Sequence, residues 1–332
     1  MFVLAASGLF AVVALGGQLE PPGPPAPTMK TIQQVEPRIP ISSIPIVIAA
    51  PGSYYLTSDL GGVPDQPGIR ITSSNVTLDL NGFSLIGGHP FTLEGIQADT
   101  VGQIVIRNGA VRDWGGVGIS VGPNSTVEDV HLSANLTGGL GAGPQSIVRN
   151  VIASSNGQDG IFADAGSMVT GSTASGNGGS GFSLGAGSTA TDCTSYGNAT
   201  GFQLGTGSRV SRSVARQNSV GILSFDGGTI ENCTVADNTS YGIYLAGSRC
   251  VVRGNTADNN TTAGINAAGH FNRIEDNQST LNFYGILVDG AANLVVKNSA
   301  SDNMVPFDIT PGNKVGPIST NPATAGPWAN FQ

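Results

Sequence analysis

The sequence predicts an all-β solenoid in which each repeat is one coil of parallel β-structure, and two observations carry that expectation. Nine asparagines, Asn135, Asn156, Asn177, Asn198, Asn218, Asn238, Asn260, Asn282 and Asn303, recur at intervals of 21, 21, 21, 20, 20, 22, 22 and 21 residues. A sustained period of this length marks repeats that pack only on their neighbours. Between the asparagines the chain is rich in Val, Ile, Thr and Gly. It alternates in the manner of a half-buried strand, as in Phe182-Ser183-Leu184 and Ile243-Tyr244-Leu245, with no helical period.

Aligned on the asparagine, the repeats show further columns. Eight residues earlier stand Val127, Val148, Val169, Ala190, Val210, Ile230, Val252, Ile274 and Val295. Five residues earlier the column runs Val130, Val151, Ser172, Cys193, Ser213, Cys233, Asn255, Asn277 and Asn298. Three or four residues later comes Gly followed by an apolar residue, from Gly139-Leu140 to Gly285-Ile286. Each coil therefore holds two or three strands, with corners after the first Val, at the Asn and at the Gly. An earlier coil, Val105 to Gly118, fits this frame with Asp113 in the Asn slot. A carboxamide both donates and accepts, so stacked asparagines can bond along the solenoid. Asn also tolerates the left-handed conformation of a sharp corner. Nine equivalent copies point to a structural role, not a catalytic one.

Composition agrees. Of 332 residues, 49 are Gly and 11% are charged, against about 7% Gly and roughly 25% charged in an average globular domain. Hydrophobic residues, at 39%, suffice for a continuous core. A net charge of −8 argues against nucleic acid as a partner. Residues 1–17 read as a signal peptide, with an uncleaved anchor or a cytoplasmic protein as the alternatives: the uncharged apolar run Phe2 to Gly17 is shorter than the ~18–20 residues of a spanning helix. Residues 18–39 read as a Pro-rich linker with a short capping helix at Thr31 to Glu36, residues 40–310 as the solenoid, and residues 311–332 as a C-terminal capping tail carrying Trp328 and Phe331. The expected location is secreted, periplasmic or cell-surface, with no membrane span in the mature chain. Cys193 and Cys233 lie two coils apart, about 10 Å at strand spacing, beyond disulfide reach. They and Cys250 read as buried hydrophobes, and no metal cluster is visible.

Pro51-Gly52-Ser53-Tyr54-Tyr55-Leu56, Gly68-Ile69 and Val76-Thr77-Leu78-Asp79-Leu80-Asn81-Gly82 resemble the first coils of bacterial secreted proteins of the pectate-lyase-like superfamily. The resemblance covers about residues 40–310. It implies a single-stranded right-handed parallel β-helix, here of about 10–12 coils, and an extracellular, acidic polysaccharide as partner, with lyase-like chemistry if catalytic. Ca²⁺ is the one cofactor it suggests, and no cofactor is certain. The enzyme motifs of the superfamily are missing, namely the Asp-Asp pair, the His-Gly, the Arg-x-Lys and the Asp-Pro-His-Asp. The three histidines, His89, His131 and His270, are scattered. A non-catalytic structural or adhesive scaffold is the alternative.

Two surfaces could carry function. At the corner after the first Val, Glu231, Arg253 and Glu275 should form one column, and Asp192, Arg212 and Asn232 the next. These charges read either as an exposed ladder worth about 0–1 kcal/mol per pair or as a groove for an anionic sugar. In the second reading Arg209, Arg212 and Arg216 neutralise a uronate, while Asp192 or Glu231 holds a cation or moves a proton. Tyr241, Tyr244 and Tyr284 offer aromatic rings for stacking on sugar faces or, equally, for an oligomer interface, with incidental exposed surface as the third reading.

Overall fold

The structure is a computed structural model that describes residues 36–88 and 92–332. Two compact units are present, Met1–Arg38 and Ile39–Gln332. Only Glu36 to Arg38 of the first are described, closed by an Arg38–Glu36 ion pair at 2.7 Å. The apolar run, most of the linker, the expected helix up to Val35 and His89 lie outside the described residues.

The second unit is a right-handed parallel β-helix of thirteen turns. A narrow sheet takes one strand from each turn and holds thirteen, from Ile46–Ile48 to Val305–Ile309. A broad sheet of 23 strands takes two from most turns, such as Thr229–Glu231 and Thr234–Ala236. The count slightly exceeds the 10–12 expected because the irregular segment before Val105 also winds into turns, with narrow-sheet strands at Ile46–Ile48, Ile69–Ile71 and Ile96–Ala98. Like residues stack on like. Val210, Ile230, Val252, Ile274 and Val295 are successive register partners in the broad sheet, and Ile222, Ile243, Ile265 and Ile286 in the narrow one. All are fully buried. Phe182 and Phe202 stack with centroids 4.7 Å apart.

The asparagine column is a continuous ladder. Each Asn from Asn135 to Asn282 donates its backbone N and its Nδ2 to the Oδ1 of the next, as in Asn156 to Asn177 at 3.0 and 2.9 Å. The left-handed residue, however, is not the ladder Asn but the one before it: Ala134, Ser155, Gln217, Asp237, Asn259, Leu281 and Asp302 have φ between 52° and 58°. The Asn keeps ordinary backbone geometry so that its side chain points inward along the stack. The earliest rung also shifts by one residue. Asp113 holds the left-handed position, with φ 62°, and Trp114 fills the Asn slot, its N donating to Asn135 Oδ1 at 3.2 Å.

A second ladder follows the column five residues earlier, with Asn255, Asn277 and Asn298 bonded in series. A third, beyond what the asparagine spacing predicts, runs Ser125, Ser146, Ser167, Ser188 and Ser208 at the return corner and resumes as Cys250, Asn272, Asn293 and Asn313. The glycine column has a steric cause. A Cβ on Gly221 would lie 2.5 Å from Gly242 O and 2.9 Å from Asn238 Nδ2, so the ladder leaves no room for a side chain. The three cysteines are free and buried, and burial pushes the Cys193 and Cys233 thiols up to about 11.

Beyond Val315 the chain returns to the last turn. Ile318–Ser319 pairs with Asn330–Phe331, Asn298 donates to Asn330 Oδ1 at 3.0 and 3.1 Å, and Ala300 N donates to Phe331 O at 2.7 Å.

Candidate functional site

The charged columns stand in the register expected of them. Glu231, Arg253 and Glu275 are consecutive partners on the broad sheet. Glu231 bonds to both Arg209 and Arg253, the latter at 2.6 Å, and its side chain is 8% exposed while both guanidiniums are about half exposed. Glu275 is held the same way by Arg273, whose guanidinium keeps its carboxyl below the ordinary 4.5. At the adjacent corner Arg212 grips Asp192 with two bonds of 2.9 and 3.0 Å in the open and lowers that carboxyl. On the next strand Arg216 pairs with Asp237 at 2.6 Å, and Asn259 adds a bond at 2.8 Å. Arg209, Arg212 and Arg216 thus each face a different carboxylate in a different column.

The tyrosines lie on the narrow sheet. Tyr244 sits between register partners Leu223 and Asn266 and points outward, since its neighbours Ile243 and Leu245 are fully buried. Its ring stacks on Tyr241 at 5.0 Å and 19°. One turn separates this pair from Tyr284: Ala263 partners both Tyr241 and Tyr284. Tyr284 meets exposed Phe283 edge-on at 4.7 Å. Asn266, beneath Tyr244, is almost wholly buried; it donates to Asp289 Oδ2 at 3.2 Å, while its Oδ1 has no partner. A buried acceptor without a partner costs free energy. Sequence reasoning does not single out Asn266 or Phe283, although Asn266 shares the period-2 outward column of Tyr244.

The tyrosines and the arginines therefore occupy different sheets and do not converge. Among the described residues no three of His, Cys, Asp and Glu are clustered to hold a metal ion, and no helix is long and apolar enough to cross a membrane. His270 is exposed and accepts Ala291 N–H at Nδ1, 2.9 Å, as a corner bond. His131 is exposed beside Asp129 along a shallow groove.

A stack of parallel coils tied by internal side-chain ladders, with its polar residues displayed on long lateral faces, defines the class of right-handed parallel β-helix proteins. The chain belongs to the family described as right handed beta helix region, which matches residues 64–209 and 185–317. No curated protein matches it. Among solved structures, the A-module of the Azotobacter vinelandii mannuronan C-5 epimerase AlgE4 is similar at 15% identity and a TM-score of 0.66, over 80% of this chain and 91% of that one. The Dettilon tailspike protein is similar at 15% identity and TM-score 0.54, over 89% of this chain and 60% of that one. The catalytic domain of a GH87 α-1,3-glucanase follows at 12% and 0.55, over 86% and 64%. At such identities the likeness is one of fold.

Proposed function

We propose that this protein is a secreted, periplasmic or cell-surface β-helix that binds an extracellular polysaccharide along its narrow sheet. The observation that carries the reading is the stacked Tyr241–Tyr244 pair, partly exposed on the outward side of the narrow sheet. Aromatic faces take the apolar side of a pyranose, and the phenol hydroxyls bond its polar groups. That an epimerase of mannuronan and an α-1,3-glucanase share the fold supports the ligand class. Binding fits the charged corner better than turnover does: Glu231 and Glu275 are enclosed by guanidiniums, whereas a general acid needs access to the proton it moves. An acidic polymer fits the guanidiniums that stand half exposed on the other sheet.

Affinity electrophoresis in gels carrying polygalacturonate, alginate or a neutral glucan tests the proposal. Retardation of the parent chain that is reduced in Tyr244→Ala, with an unchanged far-UV spectrum, is the expected result. Equal mobility of parent and variant in every gel overturns it. Arg212→Ala separates the two surfaces: lost retardation in that variant alone moves the site to the charged corner.

A second reading rests on apolar side chains exposed on the broad sheet. Ile147 and Met168 are register partners, and Ile152 lies on the adjacent strand of the same turn. Such a patch suits a protein partner in a non-catalytic adhesive scaffold.

A further inference from the structure

The last turns carry a groove on the broad sheet, away from the tyrosine face. It has a volume of about 360 Å³ and is lined by Arg273, Leu294, Val296, Lys314, Val315 and Trp328. Arg273, Leu294 and Lys314 are partners in successive turns, so the two cations stand about 10 Å apart along the stack. Trp328 is 55% exposed, and Lys297 Nζ lies 4.8 Å from its ring centroid.

Three features set this groove apart. Trp is the aromatic side chain with the largest apolar face, and an exposed indole rimmed by polar groups marks a recognition surface. Among the described residues neither Lys297 nor Lys314 has an ion-pair partner, unlike Arg209, Arg212, Arg216 and Arg253. In a chain of net charge −8, two lysines without an ion-pair partner beside the paired Arg273 are a local excess of positive charge suited to an anion. Two carboxylates act on these cations: Glu275, buried and bonded to Arg273, also interacts with Lys297, and Asp276 interacts with Arg273.

We propose that this groove binds an anionic saccharide, a uronic-acid-bearing chain whose sugar ring lies against Trp328 and whose carboxylates reach Lys297, Lys314 and Arg273. The ligand class rests on the carbohydrate reading above; the position, on a different sheet from the tyrosines, does not. A lysine ammonium reaches a carboxylate as a mobile point charge, and the indole supplies orientation. Neutral sugars have the stacking partner alone.

Fluorescence quenching reads the site directly, because Trp114, the other tryptophan, is fully buried and acrylamide reaches Trp328 alone. A galacturonate oligosaccharide is expected to shield Trp328 in a saturable manner. The double variant Lys297→Gln/Lys314→Gln, checked by its unfolding midpoint, should need roughly tenfold more oligosaccharide. Tyr244→Ala should not alter the shielding. Absence of shielding, equal shielding by a neutral glucan oligosaccharide, or equal shielding by oligothymidylate each overturns the proposal. The last outcome would mark a general polyanion surface. If Tyr244→Ala loses polysaccharide binding while Trp328 is never shielded, the groove fails and the tyrosine face stands. If Trp328 is shielded and Tyr244→Ala binds polysaccharide as the parent does, the groove stands and the tyrosine face fails.

Discussion

The carboxamide of Asn198 is docked on that of Asn218: its backbone N and its Nδ2 both donate to Asn218 Oδ1, at 3.0 and 3.2 Å. The same Nδ2 approaches Ala174 O at 3.0 Å and Ser195 Oγ at 2.9 Å. One side chain thereby ties three turns together. Asn198→Leu strands those groups inside the stack, at about 1–3 kcal/mol. Thr194, exposed on the neighbouring strand, has no such role. Urea unfolding should show a lower midpoint for Asn198→Leu and a nearly unchanged one for Thr194→Ala. Equal midpoints would falsify the ladder as a source of stability.

Gly221 and Gly61 provide a matched comparison. A Cβ on Gly221 meets Gly242 O at 2.5 Å, whereas one on Gly61 meets nothing within 4 Å. Gly221→Ala should lower stability by roughly 1–3 kcal/mol through overpacking, and Gly61→Ala should stay within about 0.5 kcal/mol of the parent. Thermal unfolding of the two variants decides the point.

Acid should weaken the fold through Glu275 and Asp237. Both carboxyls are held below their ordinary values, Glu275 chiefly by Arg273 and Asp237 chiefly by Arg216, with Asn259 next. A depressed native pKa contributes stability that is complete above the unfolded value, about 4, and disappears as pH falls through the native one. Unfolding midpoints should therefore drop between about pH 5 and pH 3. The drop should be shallower in Glu275→Gln. An identical slope in that variant shows that the Arg273 pair contributes nothing.

Deleting Pro322 to Gln332 removes Asn330 and Phe331, and with them the acceptors of Asn298 and Ala300. The truncated chain should melt at lower temperature and elute partly as aggregate, because a freed parallel edge recruits other chains. A monomeric truncation with the parent melting temperature would mean that the returning segment adds no stability.

The β-helix itself was legible in one dimension. A 20-to-22-residue spacing and period-2 alternation state which residues lie above which, and the columns through Ile230 and Glu231 follow from counting alone. The same counting placed Tyr244 outward and beside Leu223. It could not tell that the residue before each ladder Asn turns left-handed, nor that Trp114 and not Asp113 takes the first slot. Both depend on how the corner aims a side chain into the stack, a matter of one residue.

Tertiary structure alone decided the contacts between columns. Arg209 reaches Glu231 across two columns and one turn. Tyr241 lies against Tyr244 on the narrow sheet, while the arginines face carboxylates on the broad one. Asn330 enters a ladder 32 residues after its neighbour Asn298, breaking the period, and so brings Trp328 beside Lys297. The repeat determines the stack because each coil needs only its neighbours to bury its apolar residues. The sites lie where long side chains cross between columns or where the period ends, and there only the packed geometry specifies what meets.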